Sequence, residues 1–147
     1  MDTKARLESD LKNAMRVSDE LRKRTLRMAL SAIRLAEVEK GGTLEENAVL
    51  SILQKEIKSH QESIEDARRA NRPDLEQGAA EQIQVLEGYL PNQLTSEELE
   101  ALAGQAIAEV GASSLREMGQ VMRVLIPRLE GRASGDQASQ AVRKLLQ

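Results

Sequence analysis

The residues best suited to chemistry lie near the end of the chain, in the turn Gly131-Arg132-Ala133-Ser134-Gly135. A turn that opens a helix brings backbone amides, the Arg132 guanidinium and a helix N-terminus together, and this combination suits a phosphate or another anion. The nearby residues that could add positive charge are Arg123, Arg128, Arg143 and Lys144. The same turn also has an explanation without a ligand, because a tight connection between helices needs backbone angles that glycine adopts easily.

His60 is the single histidine of the chain. It falls between Ile57 and Ile64 on an apolar helical stripe, which favours a buried side chain with a local hydrogen-bond partner over a catalytic base. One histidine cannot build a two-histidine metal site, and the lack of cysteine removes thiolate nucleophiles and cysteine-based zinc sites. We therefore predict no catalytic residue, no metal ligand and no cofactor.

Tyr89 is the only aromatic residue. Its ring could stack on a nucleic-acid base, but proteins that bind single strands usually offer several such platforms. We interpret Tyr89, Leu90 and Pro91 as the joint between two helical modules, with the ring packed and the hydroxyl group hydrogen-bonded. If the chain binds RNA, it would do so through the shape and backbone of the RNA.

Apolar residues recur at helical spacing along the chain, and no run alternates for long enough to make a convincing strand. Seven helices are predicted, four before the joint and three after it. The predicted fold class is all-α, with an N-terminal bundle of about four helices over residues 1–90. A small C-terminal domain of three helices is predicted over residues 91–147.

The second helix shows an apolar side and a basic side. It is predicted to run to about Glu39 and to end at the Gly41-Gly42 pair, since glycine commonly follows a helix C-terminus. Its apolar side is predicted to contain Leu26, Ala29, Leu30, Ile33 and Val38. Its other side carries Arg22, Lys23, Arg24, Arg27 and Arg34.

Three segments have the pattern of a capping box, in which a serine or threonine and the acidic residue three positions later satisfy the first amides of a helix. These segments are Thr43–Glu46, Thr95–Glu98 and Ser114–Glu117. Pro127 lies near the end of the sixth predicted helix. It cannot donate to the carbonyl of Arg123, so a kink or an early stop is expected there.

Charge is unevenly distributed around a net value of −3. Residues 1–40 carry 10 Lys/Arg against 7 Asp/Glu, residues 41–110 carry 5 against 14, and residues 111–147 carry 6 against 3. The basic ends are either solvated helix faces or a surface for a polyanion. The acidic middle argues against nucleic acid wrapped along the whole chain.

Two further features bear on the compartment. No apolar run approaches the ~20 residues of a membrane span. The first residues, Met1-Asp2-Thr3-Lys4, are polar and lack the apolar core of a signal peptide. Together with the absence of cysteine, these features predict a cytoplasmic protein with no membrane partner.

Five segments together resemble the GatB/YqeY family, in the same order and over essentially the whole chain. They are Gln54–Ile64, Leu86–Leu94, Gly111–Ser114, Met118–Met122 and Gly131–Gly135. The chain is most similar to the stand-alone, YqeY-like branch. Ser134 stands where the family's turn has an acidic residue, so a role specific to that carboxylate is not carried over.

The resemblance implies an all-helical protein with a larger N-terminal bundle and a small C-terminal domain. In this family the module forms the tail of the B subunit of glutamine-dependent aminoacyl-tRNA amidotransferases, and it is appended to some glutaminyl-tRNA synthetases. There it helps to grip the body of the tRNA, while amide transfer takes place elsewhere. The family is associated with carbon–nitrogen ligase activity with glutamine as amido-N-donor.

Two functions follow as hypotheses. The first is an accessory of tRNA amidation without an active site of its own, with tRNA and synthetase or amidotransferase components as partners. Its binding residues would be Arg123, Arg128, Arg132, Ser134, Gly135, Arg143 and Lys144. The second is a non-catalytic protein-interaction module with no RNA role, whose acidic bundle docks a partner.

Overall fold

A computed structural model describes residues 2–147, and every regular element in this range is helical. The prediction of an all-α chain with seven helices is confirmed. In chain order the helices are α1 (Thr3–Arg16), α2 (Glu20–Lys40), α3 (Glu46–Arg69), α4 (Pro73–Glu87), α5 (Ser96–Val110), α6 (Met118–Leu129) and α7 (Gly135–Leu146). A short 3₁₀ helix, Leu115–Glu117, precedes α6.

The chain divides into two compact units, one that ends at Leu90 and one that spans Pro91–Gln147. Helices α1 to α4 lie in the first, here called the N-terminal unit, and α5 to α7 lie in the second, the C-terminal unit. Each unit has its own apolar core. Within residues 2–147, no helix combines the length and the apolar character needed to cross a membrane.

The core of the N-terminal unit is built from one side of each of its helices. Leu7 of α1, Leu30 of α2 and Leu53 of α3 are almost completely buried, and Leu86 of α4 joins them. Burial of each such leucine contributes about 1.5–3 kcal/mol of hydrophobic free energy. This packing, rather than intrinsic helix propensity, holds the four helices together.

Helix α2 buries Leu26, Ala29, Leu30 and Ile33, as its pattern predicts. The prediction for Val38 is wrong, because this side chain is 78% exposed. At about 100° per residue, Val38 lies on the opposite side of the helix from Ile33. Gly41 ends α2 in the left-handed conformation, with φ of 81°.

The connection between α3 and α4 lies just before Pro73, because proline disfavours helical geometry in the residue that precedes it. Helix α3 ends at Arg69, and Asn71 adopts a left-handed conformation with φ of 55°. Pro73 occupies the first turn of α4, where its missing amide proton is not needed. This sharp reversal sets α3 and α4 side by side.

Of the three predicted capping boxes, one is confirmed and two are wrong. The Thr95–Glu98 box is present with both reciprocal hydrogen bonds, each 3.1 Å long. The Thr43 box is absent, because Glu46 is the first residue of α3 and its carboxylate accepts a hydrogen bond from the Thr3 amide instead. The Ser114 box is also absent, since the Glu117 carboxylate accepts from the Ser113 amide.

The core of the C-terminal unit contains smaller side chains. Its fully buried residues are Ala103, Ala106, Val121, Leu125, Ala138 and Val142. Helix α6 continues past Pro127 to Leu129, so the predicted early stop is not observed. Pro127 lies in the last turn on the exposed side, where water can solvate the carbonyl of Arg123.

Candidate functional site

The turn between α6 and α7 is held by contacts to residues 92–94. Glu130 and Gly131 have positive φ values of 51° and 75°, which lets the chain reverse between the helices. The Leu94 amide donates to the Arg132 carbonyl at 2.8 Å. The Arg132 Nε donates to the Asn92 carbonyl at 2.9 Å. The Arg132 side chain is therefore used, in part, to fix the turn.

The first turn of α7 satisfies its own amides. The Ser134 hydroxyl accepts from the Gln137 amide at 3.1 Å, and the Gln137 carboxamide oxygen accepts from the Ser134 amide at 2.9 Å. Asp136 adds a negative charge at this helix N-terminus. An anion placed there would compete with the capping box and would be repelled by the Asp136 carboxylate.

Two of the predicted basic residues are held by carboxylates of α5. Arg128 binds Glu109 through both Nη atoms, at 2.5 and 3.1 Å. This hydrogen-bonded pair raises the pKa of Arg128 and lowers the pKa of Glu109. Lys144 donates to Glu100 at 2.7 Å, and this contact raises the pKa of the lysine.

The remaining basic residues have a longer carboxylate contact or none. The Arg132 guanidinium lies 3.8 Å from a Glu98 oxygen. Arg123 and Arg143 are exposed, and no carboxylate within residues 2–147 forms an ion pair with either. Arg116 is in the same state and was not predicted as a site residue, although it lies in the same basic segment of the sequence as the others.

The predicted site residues do not form one cluster. Ser134 and Gly135 begin α7, whereas Arg143 and Lys144 lie at its other end, about 13 Å away along the axis at 1.5 Å per residue. Arg123 and Arg128 lie on α6. Ser134 and Gly135 are therefore too far from Arg143 and Lys144 to share one bound phosphate with them.

Tyr89 belongs to the core of the N-terminal unit, where only 8% of the residue is exposed. Its hydroxyl group donates to Asp10 Oδ2, and the Arg6 guanidinium lies 5.0 Å from the ring centre. Burial, supported by the Asp10 hydrogen bond, raises the pKa of Tyr89. Leu90 packs beside this core, and Pro91 begins the next unit.

His60 is buried, as its position on the α3 stripe predicts. The expected hydrogen bond is not found for Nε2, the one buried side-chain polar atom of residues 2–147 without a partner. Burial lowers the pKa of His60, and the negative charge of Glu56 opposes this shift. A neutral imidazole in an apolar setting fits a structural role.

A cleft of about 360 Å³ opens in the N-terminal unit between α1 and the segment that precedes α3. Several of its polar side chains already have partners: Lys4 binds Glu37 at 2.9 Å, and the Glu46 carboxylate accepts from the Thr3 amide. Within the described chain, no group of three or more His, Asp or Glu residues is arranged to hold a metal ion. The described residues of the cleft therefore form no metal site.

The helices and turns described above define an all-α protein of two compact units. The sequence model of the Yqey-like protein family matches residues 4–146. The chain belongs to this family, which confirms the resemblance.

Three relatives share the name "Altered inheritance of mitochondria protein 41, mitochondrial". The protein of Pyrenophora tritici-repentis is 34% identical over 135 residues, which are 87% of this chain and 71% of that protein. The protein of Lachancea thermotolerans is 37% identical over 91 residues, 61% of this chain and 49% of that protein. That of Kluyveromyces lactis is 37% identical over 90 residues, with 60% and 49% covered. The chain thus spans about half to seven tenths of the length of these relatives.

The prediction of a cytoplasmic protein is wrong by this comparison, because the relatives are named as mitochondrial proteins. The features behind that prediction were the absence of cysteine, of an apolar leader and of a membrane span. Proteins of several compartments share these features, so they do not discriminate between cytoplasm and mitochondria.

Proposed function

We propose that this chain is a non-catalytic accessory protein that binds tRNA and assists glutamine-dependent amidation of the amino acid that the tRNA carries. The observation that carries the proposal is the family match over residues 4–146. In this proposal residues 1–90 serve as a four-helix bundle. Residues 91–147 act as a separate three-helix domain that holds the RNA.

The charge pattern of the C-terminal unit supports a shallow electrostatic grip. Arg116, Arg123 and Arg143 are exposed and have no carboxylate partner within residues 2–147. A guanidinium group can donate two parallel hydrogen bonds to a phosphate, and it stays charged at every physiological pH. Arg128 and Lys144 contribute less, since a phosphate must first displace Glu109 or Glu100.

In this proposal, partner proteins catalyse the amide transfer. The sequence contains no cysteine, so it supplies no thiolate for the release of ammonia from glutamine. Its one histidine is buried in the N-terminal unit. The proposed partners are therefore components of an amidotransferase or an aminoacyl-tRNA synthetase.

The proposal is tested by titration of labelled tRNA with the full chain and with Arg123→Glu/Arg143→Glu. We expect saturable binding by the native protein and about tenfold weaker binding by the variant, because each reversed charge repels a phosphate. The matched control is Arg27→Glu/Arg34→Glu in the N-terminal unit, which has the same change in net charge and should bind within about twofold of native. Binding of tRNA no tighter than binding of heparin would refute the proposal.

A second candidate function is a protein-interaction module with no RNA role. The observation that favours it is an exposed set of apolar side chains on α2, beside arginines that lack carboxylate partners. Under this candidate the tRNA titration gives no specific binding.

A further inference from the structure

The outward side of α2 carries a regular stripe that the core does not use. We define the α2 stripe as Arg24, Met28, Ser31, Leu35 and Val38. Three of these residues are large apolar side chains left open to solvent: Met28 is 45% exposed, Leu35 61% and Val38 78%. These three are a third of the nine large apolar side chains that are exposed in residues 2–147.

The spacing within the α2 stripe is that of a helix seam. Successive members are four, three, four and three residues apart, which is the heptad spacing that keeps one line of side chains facing a second helix. The buried residues Leu26, Ala29, Leu30 and Ile33 lie on the opposite side of the helix. The inner side of α2 packs against α1, α3 and α4, and the outer side is exposed.

Arginine side chains border the apolar part of the stripe. Arg27 and Arg34, seven residues apart, follow one edge, and Arg24 lies in the stripe itself. No carboxylate of residues 2–147 forms an ion pair with any of the three. Arg27 instead reaches the sulfur of Met15, at 3.9 Å. Met15 is 49% exposed, so the apolar surface extends to the end of α1.

Other charged residues of α2 do form ion pairs. Glu37 binds Lys4, and Glu20 binds Lys23. The acidic residues of this helix are therefore partly neutralised, while the three arginines of the α2 stripe and its edge are not. An apolar line with unpaired cations at its edge complements an apolar line with anions at its edge.

We propose that the α2 stripe docks an amphipathic helix of a partner protein, with an apolar seam bordered by Glu or Asp. The heptad spacing selects a helical partner, and the arginines select an acidic one. The proposal rests on the protein-interaction part of the second candidate function, and it gives that function a surface and a partner class. It does not depend on tRNA binding by the C-terminal unit.

A second copy of this chain fits the surface less well. In an antiparallel pair of α2 helices, the edge with Arg27 and Arg34 would face the same edge of the other copy. Like charges brought together in this way are unfavourable. RNA would leave Leu35 and Val38 without an apolar contact, and an acidic helix satisfies both parts of the surface.

The test uses two synthetic helical peptides and the full chain. Both peptides carry leucine at heptad positions a and d. The acidic peptide carries Glu at e and g, and the basic peptide carries Lys there. We expect fluorescence anisotropy to show binding of the acidic peptide and at least about tenfold weaker binding of the basic one.

Two variants and one control variant sharpen the test. Arg27→Glu/Arg34→Glu should lose affinity for the acidic peptide by about tenfold and gain affinity for the basic peptide. Leu35→Glu should weaken binding of both. Arg123→Glu/Arg143→Glu has the same change in net charge in the other unit and should bind the acidic peptide like the native protein. All these positions are exposed, so circular dichroism should show an unchanged helix content.

Four results would overturn the proposal. They are no binding of the acidic peptide, equal binding of both peptides, native affinity in the Arg27→Glu/Arg34→Glu variant, and a native dimer in sedimentation that Leu35→Glu dissociates. Loss of tRNA binding in Arg27→Glu/Arg34→Glu, without loss of peptide binding, would instead refute the assignment of tRNA to the C-terminal unit. The two proposals therefore fail in different ways.

Discussion

Basic side chains are paired differently in the C-terminal unit and on the outward side of α2. In the C-terminal unit, Glu109 holds Arg128 and Glu100 holds Lys144. On the outward side of α2, Arg24, Arg27 and Arg34 have no carboxylate partner within residues 2–147. Carboxylates of α5 therefore hold part of the positive charge of the C-terminal unit, whereas these three arginines of α2 keep their charge available.

The difference shows why a charge count along the sequence is misleading here. Residues 111–147 carry 6 basic residues against 3 acidic ones, and residues 41–110 have a large acidic excess. The fold brings α5, which belongs to that acidic segment, against α6 and α7. Its carboxylates then neutralise cations that the count had assigned to a separate basic end.

Loss of a core leucine should give the largest difference in response between the two units. Leu125→Ala in the C-terminal unit and Leu53→Ala in the N-terminal unit should each cost about 2–5 kcal/mol, because both side chains are fully buried. The C-terminal unit is near the lower size limit for independent folding, so Leu125→Ala should unfold it. Hydrogen exchange should show lost protection in α5 to α7 for Leu125→Ala, and retained protection in α1 to α4 for Leu53→Ala.

Equal losses of hydrogen-exchange protection in the two units would contradict this prediction. If Leu53→Ala exposes the N-terminal unit as completely as Leu125→Ala exposes the C-terminal one, the difference in core size has no thermodynamic consequence. Val38→Ala is a suitable control, because its side chain is exposed and its removal leaves no cavity.

The next largest effect is expected at the buried phenol of the N-terminal unit. Tyr89→Phe keeps the ring in the core but removes the hydrogen bond to Asp10, at a cost of about 1–3 kcal/mol. Urea unfolding followed by circular dichroism measures this cost. If Tyr89→Phe has the same free energy of unfolding as the native protein, water replaces the hydroxyl group as the partner of Asp10 at no cost in stability. Tyr89→Ala should cost more, since it also leaves a cavity.

Removal of a helix cap should cost less free energy of unfolding than these changes in the core. Thr95→Ala removes an observed capping box at the start of α5 and should destabilise the C-terminal unit by about 0.5–2 kcal/mol. Thr43→Ala removes a threonine that caps nothing and should be close to neutral. Thermal unfolding of the two variants tests this, and equal losses would contradict the assignment of the caps.

The smallest effect concerns His60. Its pKa in the folded chain is lowered below the ordinary value of 6.5, so the unfolded chain binds the proton more readily. The free energy of unfolding should therefore be at its full value above pH 6.5 and should fall as the pH drops toward the folded pKa. His60→Leu should lack this component between pH 7 and pH 5. An identical pH dependence in urea unfolding would contradict the prediction.

Features set by local residue pattern could be predicted from the sequence. The helical period, the glycine ends at Gly41 and Gly111, and the break at Pro73 depend on near neighbours in the chain. The cap at Thr95 is of the same kind. These features follow from backbone geometry that a few residues determine.

Features set by distant partners could not be predicted. Glu46 caps the Thr3 amide, 43 residues away, so the expected Thr43 box does not form. The pairing of Lys144 with Glu100, 44 residues away, changes the character of the proposed anion site. The α2 stripe was present in the sequence as a heptad, but the assignment of Val38 to the core concealed it.

The salt dependence of tRNA binding tests the central claim most directly. If only Arg116, Arg123 and Arg143 neutralise phosphates, a plot of log Kobs against log salt should have a slope of about −2.7. If all six basic residues of the C-terminal unit are available, the slope should be about −5.4. A slope near −2.7 would support the view that ion pairs with α5 withhold half of this charge, and a slope near −5.4, or no specific binding, would contradict it.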